Sequence, residues 1–88
     1  MRTISVKILG HKASLRYPVE RVVIAAQREL PNVDLAIEMV KTASEIQKYT
    51  QVLALPSLVV NERLVCVGRF PSKSEALSWL KEAQEKRE

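Results

Sequence analysis

An 88-residue chain with one cysteine and one histidine has little with which to do redox or metal chemistry. Cys66 lies between Val65 and Val67 in an apolar run, where a lone cysteine behaves as a small buried hydrophobe; exposed, it would instead be a monothiol redox or thiol-binding group. It has no second cysteine for a disulfide. One cysteine and His11 do not make a zinc cage, so no metal and no cofactor are expected. His11, Lys12 and Arg16 form a small basic cluster ahead of a helix, where free amides and the helix dipole favour anions; a phosphate, nucleotide or acidic peptide is the ligand this chemistry would take. The loop has no glycine-rich phosphate cradle, and His11 has no acid or nucleophile nearby to make it a catalyst. Ser14 has no base beyond His11, and Ser57 lacks the glycine-flanked elbow of a hydrolase nucleophile. Glu20, Glu29, Asp34, Glu38 and Glu45 show no spacing that pairs two carboxylates on one small face, which removes the hydrolase reading.

The bulk properties narrow the field further. A hydrophobic content of 47% with 27% charged residues is ordinary for one small globular domain, spanning residues 1–88 without room for a second. The net charge of +4 permits acidic partners. Nucleic acid is not expected, because the cations are spread over all elements and Trp79 and the tyrosines do not interleave with a basic stripe. The first residues carry Lys7 inside an apolar alternation, and no run approaches the ~20 apolar residues of a spanning helix. The expectation is a cytoplasmic protein away from the membrane.

Periodicity supplies the elements that would position these groups. Ile4, Val6 and Ile8 alternate with Thr3, Ser5 and Lys7, predicting a strand over residues 3–9 that Gly10 stops. The residue before a proline is pushed out of helical geometry, so Pro18 is read as the first helical position and Tyr17 as outside the helix. Val19, Val22, Val23, Ala26 and Leu30 then share one helical face, ended by Pro31-Asn32. Val33, Leu35, Ile37 and Met39 predict a second strand, and strand, helix and strand with short joints make a right-handed parallel unit. Thr42 with Glu45 has the form of a capping box opening a helix that runs to about Val52, with Ile46, Tyr49 and Leu53 continuing one helical face behind it. Pro56 opens the apolar run Ser57-Leu58-Val59-Val60, and Asn61-Glu62-Arg63 turns it back into Leu64-Val65-Cys66-Val67-Gly68, an antiparallel hairpin. On that second strand Leu64, Cys66 and Gly68 are expected on one face, opposite Val65 and Val67. Ser72 with Glu75 is a second capping box, leading a helix whose Ala76, Leu77, Leu80 and Ala83 meet the sheet with Trp79 at the margin.

The resulting order is β-α-β-α-β-β-α, an α/β chain with a four-stranded mixed sheet and three helices, and with a proline opening the third strand it resembles the thioredoxin fold. Lys7-Ile8-Leu9-Gly10, Val19-Glu20 with Val23 and Ala26, Ile46 and Tyr49, Pro56-Ser57-Leu58-Val59-Val60-Asn61, and Gly68-Arg69 with Pro71-Ser72-Lys73 resemble the small single-domain thioredoxin-like proteins called redox-active disulfide proteins. The resemblance implies a cis bond at Leu55-Pro56 and a C-x-x-C pair just after Gly10, where a helix N-terminus lowers the pKa of the first thiol and the second cysteine resolves the mixed disulfide. Counting on from Gly10 puts that pair at Ala13 and Arg16. Neither side chain forms a thiolate, so dithiol exchange at this place is chemically impossible. The chain also departs from the family at Leu55, where threonine is usual, and at Glu62, where the hairpin carries glycine.

What the resemblance leaves is a fold without its dithiol. Proteins of this fold hold extended peptide backbone against the residue before their proline, a form of strand addition that needs main-chain groups and no cysteine. Leu55, Pro56, Ala13 and Tyr17 are therefore the candidate peptide-binding residues, with a protein or peptide as the expected partner; the monothiol at Cys66 and the anion site at His11, Lys12 and Arg16 are the alternatives.

Overall fold

Apolar residues at alternate positions drive the first element: Ile4, Val6 and Ile8 are fully buried on one side of strand β1 (Arg2–Leu9), while Thr3, Ser5 and Lys7 stand on the other. The structure, a computed structural model, describes residues 2–49 and 56–85. After β1 come helix α1 (Ala13–Gln27), strand β2 (Val33–Val40), helix α2 (Ala43–Ile46), strand β3 (Ser57–Val60), strand β4 (Arg63–Val67) and helix α3 (Lys73–Glu85). This is the expected β-α-β-α-β-β-α order, and the sheet runs β2-β1-β3-β4. β1 and β2 are parallel from Arg2 opposite Val33 to Leu9 opposite Val40, and the β1–β3 and β3–β4 pairs are antiparallel. The parallel strand-helix-strand unit places α1 on one face, where α3 joins it and packs Leu80 in one cluster with Val6, Ile8 and Leu58 of the sheet. Leu9, Val40 and Val59 point the other way, beneath Ile46.

Four local features differ from the sequence reading, each for a physical reason. Helix α1 begins at Ala13, not Pro18, and Tyr17 lies within it. The Lys12 carbonyl accepts from the Leu15 and Arg16 amides at 3.0 and 3.3 Å, so a full turn is closed before the proline arrives. Pro18 forfeits only the amide that would bond the Ser14 carbonyl, and both residues stand on the exposed side of the helix. Helix α2 is four residues long, followed by tight turns in which Lys48 donates to Glu45 and Tyr49 to Ile46; its expected extension past Tyr49 lies outside the described residues. Its predicted cap is present, Thr42 Oγ1 accepting from the Glu45 amide at 3.4 Å.

The hairpin turn is the two-residue Asn61-Glu62, both at positive φ (49° and 66°), with Arg63 already paired to Val60 in β4. β4 then carries a bulge. Leu64 pairs with Val59 and Cys66 with Leu58, so Val65 is an extra residue and the strand changes face across it. Leu64 consequently packs with Val59 on the α2 side, whereas Cys66 joins the cluster under α1 and α3. The expected sharing of one face by Leu64 and Cys66 is overturned by that single residue.

Candidate functional site

The carboxyl end of β1 is where the groups singled out in the sequence converge. Gly10 follows the strand, its amide bonded to the Val40 carbonyl at 3.0 Å. A Cβ at Gly10 would stand 3.2 Å from both Arg16 Cγ and Leu15 Cβ, so the absent side chain is what lets Arg16 fold back beneath the loop. The antiparallel registers put Ser57 opposite Leu9 and Val67 opposite Ser57, and the Gly68 amide donates to the Pro56 carbonyl at 2.9 Å. The start of α1, Pro56 at the head of β3, and the loop leaving β4 therefore share one end of the sheet. Pro56 and Ser57 are buried there.

Ala13 is the exposed first residue of α1, while Arg16, three residues on, is 8% exposed. Arg16 Nη1 donates to the Gly10 carbonyl at 2.9 Å, and its Nε is buried without a hydrogen-bond partner. The expected basic cluster is thus divided: His11 and Lys12 are exposed in the loop and the Arg16 guanidinium is directed inward. Lys12 occupies the cap position of α1 with no side-chain cap, and no acid stands in the first turn. Tyr17 is exposed on the same helix. Leu55, and with it the Leu55–Pro56 bond, lies outside the described residues.

Cys66 is buried, and its thiol donates to the Arg69 carbonyl at 3.3 Å. Desolvation pushes the thiol pKa up, with Glu75 adding to the rise and Arg69 opposing it, so the group stays a neutral thiol at neutral pH. A buried neutral thiol is a poor nucleophile.

The end of β4 and the loop after it contribute residues that the sequence does not single out as functional. Val67 and Phe70 are exposed large apolar side chains, and together with Tyr17 they are the large hydrophobics exposed among the described residues. The signal for Phe70 was its setting: an aromatic residue between Arg69 and Pro71, in neither a strand alternation nor a helical stripe. The loop itself is rigidly held. Ser72 Oγ accepts from the Glu75 amide, Glu75 accepts from the Ser72 amide, and the same carboxylate takes a two-bonded grip from Arg69, both at 2.7 Å. Arg69 and Ser72 together draw the Glu75 carboxyl down from 4.5 to about 2, the Arg69 bond being the larger cause.

Among the described residues no group of His, Cys, Asp or Glu is placed to hold a metal ion, and no helix is long and apolar enough to cross a membrane. Comparison with curated proteins finds no match. The family model of the thioredoxin domain matches residues 4–81, from the buried Ile4 of β1 into the last turns of α3, and by that span the chain belongs to the thioredoxin-domain family.

Proposed function

We propose that this protein is a thioredoxin-fold binding domain without dithiol chemistry, and that it holds an extended segment of a partner protein at the end of the sheet formed by the start of α1, Pro56 and the loop after β4. The observation that carries this reading is the placement of the exposed apolar residues: Tyr17 at 55%, Phe70 at 50% and Val67 at 42% exposed all belong to this one end. Exposed aromatic side chains on rigid elements are what a peptide-binding surface needs, since they bury large area at low entropic cost. The reading is supported chemically by what stands at the two former dithiol positions, Ala13 and Arg16, where no sulfur is available to attack a disulfide. A reducing cytoplasmic setting suits a chain whose single cysteine is unpaired.

Selection of binders from a random peptide library tests it. Peptides retained by the native chain should lose binding about tenfold or more on Phe70→Ser or Tyr17→Ser, the range for truncating a central aromatic anchor. Binders unaffected by both substitutions, or no binders at all, refute the site. A parallel alkylation assay separates the redox alternative: Cys66 should react only on unfolding, and fast native labelling with a low-pH titration would restore a monothiol role.

A further inference from the structure

The opposite end of the sheet carries a second site, independent of the first. β1 pairs with β2 along all eight residues but with β3 only over residues 6–9, because the hairpin turns away at Asn61. Asn61 closes the pairing twice: its amide donates to the Ser5 carbonyl at 2.8 Å and its Oδ1 accepts from the Ser5 amide at 3.0 Å. Along a strand, alternate residues direct their backbone groups to the same side, so the amide and carbonyl of Thr3 face the same way as those of Ser5. No strand lies opposite Thr3 on that side among the described residues. What lies there is a slot of about 700 Å³, bounded by Thr3 and Ser5, the hairpin tip, and Val65 and Trp79. Its rim carries two ion pairs, Glu62 with Lys7 at 2.7 Å and Glu82 with Arg63 at 3.3 Å, so the charges around it are matched.

We propose that this slot takes an extended peptide segment of a partner protein, apolar at its centre, which continues the line of β3 along β1. The chemistry on each side of the slot specifies that occupant. The Thr3 amide and carbonyl offer one donor and one acceptor in strand geometry, the complement of a peptide backbone and of little else. Asn61 already imitates one residue of such a strand, so the incoming segment extends an existing β1–β3 interface instead of founding one. Trp79 and Val65 receive an apolar side chain from one face of the segment, while the alternate side chains stand on the Thr3 and Ser5 side.

Trp79 is the only tryptophan in the chain and lines the slot, so it reports occupancy directly. The probe is the blocked pentapeptide acetyl-Lys-Val-Thr-Val-Lys-amide, titrated into the full chain. A saturable blue shift of Trp79 emission and slowed exchange of the Thr3 amide hydrogen are expected. Thr3→Pro removes the slot-facing donor without touching the β2 ladder and should weaken binding about tenfold, whereas Thr3→Val, which keeps the amide, should leave it unchanged. Phe70→Ser should also leave it unchanged, which separates this site from the one at Pro56. The proposal is overturned by an unshifted Trp79 at peptide concentrations up to about 1 mM, or by equal binding to Thr3→Pro. Should Thr3→Pro fail to fold, an unchanged Thr3 amide exchange rate in the native chain overturns it as decisively.

Discussion

Under α1 and α3 the sheet buries Ile4, Val6, Ile8, Leu58 and Val60, whereas among the described residues its opposite face buries Leu9, Val40 and Val59 beneath Ile46. The first face is covered by helices of fifteen and thirteen residues, the second, among the described residues, by one of four. Each also has a polar clamp. On the α3 side, Arg69, Ser72 and Glu75 fix the start of the helix. On the α2 side, Lys7 Nζ reaches Tyr49 Oη at 2.6 Å and Glu62 Oε2 at 2.7 Å, tying β1, the turn after α2 and the hairpin together. The difference teaches where stability comes from: area on one face, and on the other a smaller apolar cluster joined by side-chain bonds that contribute less.

Neighbouring residues of β1 expose that contrast most strongly. Ile8 and Leu9 are both 0% exposed, yet they point to opposite faces. Ile8→Ala should lower unfolding free energy by about 4 kcal/mol, because two long packed helices cannot close over the cavity. Leu9→Ala should lower it by about 2.5 kcal/mol, since a short helix beneath a small cluster relaxes more readily. Denaturant midpoints at an unchanged slope measure both, and equal losses would abolish the distinction between the faces.

The clamp at the head of α3 comes next in size. Ser72→Ala removes the helix cap and should lower stability by about 1 kcal/mol. Glu75 gives this clamp a pH signature. Its folded pKa of about 2 is below its unfolded value, so its contribution is fully present above the unfolded carboxyl range and is lost as pH falls from about 5 toward 2. Glu29, lowered by its partner Lys73 on α3, adds to the same acid limb with the same sign. Glu75→Gln should flatten the fall in thermal midpoint between those pH values, leaving the smaller Glu29 slope.

Most of this architecture could be read from residue order, and its failures have definite causes. Alternation gave β1 and β2 because each buries one face against α1, and Ser72 with Glu75 announced α3 because a capping box is a local bond pattern. Pro18 misled because the rule for the residue before proline is a bias on one residue, while the turn at residues 12–16 is held by Lys12 and by the reach of Arg16 to Gly10. Arg16 itself was expected in the open, as arginines mostly are, and only the space beside Gly10 explains its burial. The β4 face was misassigned because a bulge leaves no mark in an apolar run. Of the residues grouped at that end of the sheet, Pro56, Ala13 and Tyr17 can be named from the sequence, whereas Val67 and Phe70 are placed there only by the registers that set the end of β4 and its loop beside Pro56.

The smallest effect tests the clamp on the other face, where backbone and side chain pull in opposite directions. Glu62 occupies a left-handed position, φ 66°, which a side chain disfavours and glycine does not. The same residue bonds Lys7, whose ammonium is held well above its ordinary pKa first by Glu62 and then by Tyr49. Glu62→Gly removes the strain and the ion pair at once, so thermal stability should stay near that of the native chain. Glu62→Ala keeps the strain and loses the pair, and should fall about 1 kcal/mol below the glycine variant. A glycine variant as unstable as the alanine one would mean that the bond to Lys7, not the turn, governs this face. A glycine variant clearly more stable than the native chain would mean that the ion pair adds nothing to the apolar cluster of Leu9, Val40, Ile46 and Val59 on the second face.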